Sequence, residues 1–232
     1  LVAVAADGTR TLYHAGERGR DAREIGPGFN PFWLDETRFG YFREPAAAGT
    51  QELVLATVGQ GQQSVVRAAD FLAVMPAAER PQALRIDYAW TNTPVTVEPG
   101  QLLVLASGAE AEDPSRSESA SRSERPAPTY IFSLAVDRAG AVVEIHLLFT
   151  IQERGFATTS PDGRWLVVHE YGQDFSQMIR MLDLEEDRMR SLGEGRPGPW
   201  SPAGQWLPQA HDLYFLVRSP AERYQHLVTH DL

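Results

Sequence analysis

Residues 160–165 read Ser-Pro-Asp-Gly-Arg-Trp, and residues 201–206, 41 positions later, read Ser-Pro-Ala-Gly-Gln-Trp. Both stretches run into apolar residues, Leu166-Val167-Val168 after the first and Leu207 after the second. Pro-Asp-Gly is turn chemistry, because proline presets φ and glycine supplies a positive φ. Self-similarity at a spacing of roughly 40 residues is typical of repeat architectures. The two stretches therefore predict repeats built of β-strands, each entered through this turn.

Two weaker copies of the turn lie earlier in the chain. Trp33–Phe39 aligns on the copy that ends at Trp206, and Pro99–Leu102 keeps only the Pro-Gly pair. With the residue before each turn as the reference, the repeats are entered near residues 33, 96, 159 and 200. We expect four short strands in each repeat. Met178–Leu182 is predicted to be a strand rather than a helical turn, because it is short and flanked by turns.

The repeats predict a single domain over residues 1–232 that carries one inserted loop. Residues 107–128 alternate serine with small and charged residues and contain no large apolar side chain. Such a segment cannot bury enough surface to offset the entropy lost on ordering, so we predict a flexible loop inside the second repeat. A second irregular stretch, residues 68–84, is expected to be an elongated connection with a helical turn.

Composition excludes several classes of partner and chemistry. The formal net charge of −10 argues against nucleic acid and anionic membrane surfaces as partners, since both require a basic face. The chain contains no cysteine, which excludes disulfides and thiolate metal sites. No stretch approaches the roughly 20 apolar residues that a transmembrane helix needs. All 21 basic residues are arginine, as expected from a GC-rich genome.

The chain resembles the TolB-type, PD40 or WD40-like, β-propeller repeats. Thr159–Leu166 matches their pattern closely, and Trp200–Leu207 matches it with alanine in place of aspartate. The resemblance implies an all-β fold, a β-propeller of four-stranded antiparallel blades with about four blades present. Residues 1–13 are predicted to be the last two strands of a blade, and Leu232 lies where a third strand would end. We therefore expect either a segment of a larger propeller or a compact one of four or five blades.

No catalytic, cofactor-binding or metal-binding residues are predicted. The sequence lacks a Gly-x-Ser-x-Gly elbow, a Walker loop and a His-Glu-x-x-His motif. His226 and His230 have helical spacing, but on a strand they lie about 13 Å apart, too far to share a metal. His169 ends a strand, and His211 and Asp212 begin one in the next repeat. These three residues are a candidate site at the axial mouth of a propeller; the alternative is hydrogen-bonded strand ends.

The five tryptophans are better explained by packing inside blades than by a ligand cage. They are Trp33, Trp90, Trp165, Trp200 and Trp206. Trp165 and Trp206 occupy the same repeat position, which a repeated core contact predicts. Trp90, with Tyr88, falls in a less regular connection. If an aromatic residue contacts a partner, we expect it to be Trp90, together with Tyr88; the alternative for Trp90 is packing inside a blade.

These observations predict a non-catalytic protein-binding or scaffold propeller module with a protein partner and no cofactor. We expect a periplasmic, cell-surface or secreted location. One alternative is the gating propeller of a prolyl-oligopeptidase-like serine peptidase whose hydrolase domain lies outside this chain, since similar Ser-Pro-Asp-Gly blades occur in those propellers. A second alternative is a metal-assisted carbohydrate-active propeller enzyme. The partner and the oligomeric state stay open.

Overall fold

The computed structural model describes most of the strands and many of the turns. The described residues are 2–4, 10–15, 21–43, 51–59, 63–91, 100–109, 127–137, 139–152, 154–160, 163–171, 177–186, 188–195, 205–206, 212–218 and 225–231. The chain divides into two compact units. The first unit holds sheets I to III and the second holds sheets IV and V, apart from the terminal residues of two strands.

The first unit consists of three sheets and one helix. Sheet I contains β1 (Val2–Val4), β2 (Arg10–His14) and β3 (Arg23–Pro27). Sheet II contains β4 (Phe29–Trp33), β5 (Arg38–Arg43), β6 (Glu52–Thr57) and β7 (Gln63–Arg67), and α1 (Ala68–Val74) follows it. Sheet III contains β8 (Ala83–Thr91), β9 (Gly100–Ala109), β10 (Thr129–Val136) and β11 (Val142–Ile151). Strands that are consecutive in sequence are neighbours in each sheet.

The second unit consists of two sheets. Sheet IV contains β12 (Arg154–Thr159), β13 (Trp165–Tyr171), β14 (Gln177–Asp183) and β15 (Arg188–Gly195). Sheet V contains β16 (Gln205–Trp206), β17 (Asp212–Arg218) and β18 (Gln225–Asp231). Every pair of strands with a described register is antiparallel. The plan of four antiparallel strands is thus confirmed in sheets II, III and IV.

Several local predictions can be compared with these elements. The helical turn expected within residues 68–84 is confirmed by α1, and the strand predicted at Met178–Leu182 is confirmed by β14. The prediction of only two strands near the N-terminus was incomplete, because β3 pairs with β2. The predicted loop at 107–128 begins too early, because β9 continues to Ala109. Residues 110–126 of that loop lie outside the described residues.

The turn that begins at Ser160 has the geometry that its sequence requires. The amide of Trp165 donates to Ser160 Oγ and the amide of Ser160 donates to the Trp165 carbonyl, both at 2.9 Å. Gly163 donates to the Ser160 carbonyl at 2.9 Å and has a φ of 76°, a conformation that glycine adopts without strain. Pro161 and Asp162 lie outside the described residues. Two of the residues near which repeats were predicted to begin, Trp33 and Thr159, are the last residues of β4 and β12.

Each unit has its own buried core. In the first unit, apolar residues of sheets II and III and of α1 form one cluster, in which the rings of Phe71 and Phe132 are 4.9 Å apart. Arg38 in sheet II donates to the carbonyl oxygen of Asp137, beside sheet III, and so ties the two sheets together. In the second unit, Trp165 is 6% exposed, which confirms its predicted packing.

Candidate binding pocket

A small pocket in the first unit is lined mainly by aromatic and aliphatic side chains. Its volume is about 100 Å³, and it opens to solvent. Its lining residues come from β2 to β5 and include Tyr13, His14, Ile25, Phe32, Trp33 and Phe39. Binding sites of this kind combine an apolar surface with a few polar atoms that orient the ligand. Three of the lining residues, Tyr13, His14 and Trp33, carry a polar group on an aromatic ring.

Trp33 forms an exposed wall of this pocket. Its side chain is 54% exposed, although the sequence predicted it to pack inside a blade, so that prediction was wrong. The reason is a bulge in β4: Phe29 pairs with Phe42, but Phe32 pairs with Gly40, which shifts the register by one residue. A bulge reverses the alternation of inward and outward side chains along the strand.

Neighbouring rings and a tight turn hold Trp33 in place. The ring of His14 meets it edge-on with centroids 6.4 Å apart, and the ring of Phe39 does so at 5.8 Å. The turn after Trp33 is closed by Asp35, whose Oδ1 accepts from the amide of Thr37 at 2.8 Å and from that of Arg38 at 2.7 Å. Burial alone would raise the pKa of Asp35, but these hydrogen bonds and the Arg38 guanidinium lower it to about 2.

Tyr88, one of the two predicted partner contacts, lies on the neighbouring sheet. Its side chain is 55% exposed. Tyr88 and Trp90 belong to β8, opposite Leu105 and Leu103, and not to an irregular connection as the sequence predicted. The Trp90 side chain lies outside the described residues. Because Cα atoms of β4 and β8 come within 8 Å of each other, the strands that carry Trp33 and Tyr88 are adjacent.

The second predicted site is described only at His169. This side chain is fully buried in β13, and burial lowers its pKa to about 4, so its imidazole is neutral at pH 7. His211 lies outside the described residues. Asp212 begins β17, but its side chain is not described. A site formed by His169, His211 and Asp212 therefore stays a prediction.

The described residues show neither a metal-binding cluster nor a helix that could span a membrane. The part of the chain that the structure describes contains no cluster of three or more His, Asp or Glu side chains suited to a metal ion. Within the same residues, no helix has the length and apolar content needed to cross a membrane.

Comparison with known proteins identifies the fold. No protein-family model and no curated protein matches the sequence. Among solved structures, TolB from Acinetobacter baumannii matches 96% of this chain at 12% identity with a TM-score of 0.50. An acylaminoacyl peptidase from Pyrococcus horikoshii matches 100% of it at 11% identity with a TM-score of 0.56. The fold is a β-propeller.

The likeness to these two propeller structures concerns the fold alone. The chain spans 46% of the length of the TolB chain and 36% of that of the peptidase chain. The propeller fold confirms the all-β prediction and its four-stranded blades. A fold hosts many functions, so the function has to be argued from the site.

The sequence alone does not predict this pocket. Its residues lie between positions 12 and 39 and have no shared motif, because strands of two sheets bring them together. The one signal of it in the sequence is the density of aromatic residues from Phe29 to Phe42.

Proposed function

We propose that this propeller is a non-catalytic module that binds a protein partner, and that the partner contacts it at the Trp33 pocket and at Tyr88. The observation that carries the proposal is the 54% exposure of Trp33 at the rim of an apolar pocket. Tryptophan and tyrosine are the residues most enriched at the energetic centres of protein interfaces. A half-exposed indole held by neighbouring rings is already ordered for binding.

The size of the pocket supports a protein side chain as its occupant. A volume of about 100 Å³ is below the several hundred that sites for drug-sized ligands provide. It is suited to one apolar or aromatic side chain of a partner. Tyr88, on the adjacent strand β8, extends the contact surface beyond the pocket.

The Asp35 turn supports a rigid binding surface. Asp35 accepts hydrogen bonds from two backbone amides directly after Trp33 and forms an ion pair with Arg38. Arg38 also donates to the Asp137 carbonyl, which links the turn to the neighbouring sheet. An ordered surface loses less conformational entropy when it binds a partner.

An extracytoplasmic location, in the periplasm, on the cell surface or outside the cell, is part of the same proposal. It is supported by the likeness of the fold to TolB and by the resemblance of the repeats. Because the chain contains no cysteine, its fold does not depend on the redox state of the compartment. Fractionation of the source cells followed by immunoblotting tests this part.

Site-specific photo-crosslinking in the source cells tests the binding function. A photoreactive phenylalanine analogue is placed at position 33, at position 88 or, as a control, at position 189. Met189 is 37% exposed on β15, a strand of the second unit that contributes no residue to the pocket. We expect the same protein to be crosslinked from positions 33 and 88 and not from position 189. Crosslinking only to unrelated proteins, or equally from position 189, would contradict the proposal.

A further inference from the structure

Aromatic rings make up most of the wall of the Trp33 pocket. Five of its eight lining residues carry a ring, namely Tyr13, His14, Phe32, Trp33 and Phe39. The planes of the Trp33 and His14 rings meet at 77°, and those of Trp33 and Phe39 meet at 64°. Rings at such steep angles form a corner, so a group that enters the pocket contacts more than one π system.

The face of an aromatic ring attracts a positive charge, and tryptophan attracts it most strongly. This chain uses that attraction inside its own fold. The guanidinium carbon of Arg10 lies 5.3 Å from the centre of the Phe29 ring. That of Arg164 lies 4.8 Å from the centre of the Trp165 six-membered and five-membered ring system. In the described part of the chain no arginine lies over Trp33, although its side chain is 54% exposed.

The charged residues beside the pocket do not fill it. Arg38 forms an ion pair with Asp35 in the turn after β4. Arg23 and Glu24 are consecutive exposed residues of β3, so that edge of the pocket carries both signs of charge. None of the described lining residues is an arginine, an aspartate or a glutamate. A cation that enters the pocket therefore meets no guanidinium among these walls.

The charge of the whole chain favours a positive partner. The sequence has 31 acidic and 21 basic residues, which gives a formal net charge of −10. Such an excess attracts a basic segment of another protein and increases its rate of association. The floor of the pocket suits the aliphatic part of a long basic side chain, because Leu12 and Phe39 are buried and apolar.

We propose that the Trp33 pocket receives an arginine side chain from a basic segment of the protein partner. This inference rests on the proposed function, because it names the chemistry by which that partner is recognised. The guanidinium lies against the indole of Trp33, beside the ring of His14. The methylene groups of the arginine contact Leu12 and Phe39.

Other side chains fulfil fewer of these conditions. The volume of the pocket admits an apolar or aromatic side chain, but such a side chain gains nothing from the net charge of the chain. An acidic side chain is repelled by that charge. Lysine carries a compact, strongly hydrated ammonium group, whereas the guanidinium of arginine is planar, weakly hydrated and stacks on aromatic faces. Arginine alone combines the apolar stem, the planar head and the complementary charge.

NMR of the full, ¹⁵N-labelled chain tests the occupant. The indole N–H signal of Trp33 is the one that the variant Trp33→Phe lacks. We add acetyl-Gly-Arg-Gly-amide and, as controls, the same peptide with citrulline or leucine in place of arginine. Citrulline has nearly the shape of arginine but no charge. We expect the arginine peptide to shift the Trp33 signal with a dissociation constant of about 1–10 mM, and the controls to bind roughly fivefold more weakly or less.

Two variants and one internal control accompany the titration. The signal of Trp165 should not move, because this ring is buried and already covered by Arg164. Trp33→Leu, monitored through peptide signals, should lose the preference for arginine over citrulline. Met189→Ala, on β15 of the second unit, should keep it. Circular dichroism checks that both variants are folded.

Two results would overturn the proposal. The first is a citrulline or leucine peptide that binds at Trp33 as tightly as the arginine peptide, since the charge would then contribute nothing. The second is the absence of a saturable shift of the Trp33 signal at about 50 mM arginine peptide. Photo-crosslinking from positions 33 and 88 reports separately on partner binding. If it succeeds while the peptide test fails, the binding function stands and only the choice of arginine is wrong.

Discussion

Arg164 and Asp183 form an ion pair, with Nη2 of Arg164 2.9 Å from Oδ2 of Asp183, at the start of β13 and the end of β14. Asp183 is 1% exposed and also accepts hydrogen bonds from the amides of Glu185 and Glu186. The hydrogen bond from Arg164 lowers the pKa of this carboxyl and so keeps it ionised. The Asp183 carboxylate therefore joins the turn before β13 to the turn between β14 and β15.

Loss of this carboxylate should destabilise the protein. Asp183→Ala removes the acceptor for Arg164 and for two amides, and we expect a loss of about 2 kcal/mol in the free energy of unfolding. Urea denaturation measures it. Glu185→Ala is the matched control, because Glu185 is 70% exposed and 3.6 Å from Arg164, where ion pairs contribute little. Equal losses in both variants would contradict this role of Asp183.

His169 should make stability depend on pH between about 6.5 and 4. Burial lowers its pKa from 6.5 to about 4, so the unfolded chain binds a proton in this range that the folded chain does not. Stability is therefore complete above pH 6.5 and falls as the pH drops toward 4, by about 3 kcal/mol from this group. Urea denaturation at several pH values gives the free energy of unfolding as a function of pH. Between pH 6.5 and 4 this free energy should fall less steeply for His169→Leu than for the wild type. Identical slopes in the two proteins would contradict the prediction.

Asp35 should contribute stability that is lost at lower pH. Its folded pKa of about 2 lies below the usual 3.8, so its contribution is present above pH 3.8 and disappears as the pH falls toward 2. Asp35→Asn should reduce the free energy of unfolding by about 1–2 kcal/mol at pH 7 and hardly at all near pH 2. Denaturation at the two pH values measures the difference. A cost that is the same at both would show that the charge is not what stabilises the turn.

Gly155 should tolerate no side chain. A Cβ at this position would lie 2.3 Å from the carbonyl oxygen of His169, a backbone atom that cannot move aside cheaply. Gly155→Ala should cost about 3 kcal/mol of stability. In the control Gly100→Ala, the nearest atom to the new Cβ would be 3.8 Å away, so we expect little change. Thermal unfolding of both variants tests this prediction. A similar decrease of the unfolding midpoint in Gly155→Ala and Gly100→Ala would contradict the close approach of Gly155 to the His169 carbonyl oxygen.

The entry turn of sheet IV was predictable because each of its features is local. Ser160, Gly163 and Trp165 make contacts within six residues, and residue type alone sets the required φ and hydrogen bonds. The four-stranded plan followed from the repetition of this turn. The strand β3 was not predictable in the same way, because Arg-Glu-Ile-Gly-Pro has no apolar alternation and becomes a strand only by pairing with β2.

Local sequence patterns do not predict most of the candidate site. The exposure of Trp33 depends on a bulge in β4, at which Asn30 takes a φ of 47°, and the sequence gives no sign of that bulge. Tyr88 is exposed, but it lies on a regular strand and not in the irregular connection that the sequence predicted. The His14 contact with Trp33 joins two sheets, and tertiary packing alone creates it.

The affinity for the partner crosslinked at position 33 tests the central claim most directly. Isothermal titration of this partner should give a dissociation constant at least tenfold higher for Trp33→Ala than for the wild type, because the pocket loses its exposed wall. Met189→Ala, the exposed control on β15, should bind as the wild type does. An unchanged constant for folded Trp33→Ala would contradict the account of this propeller as a module that binds through Trp33.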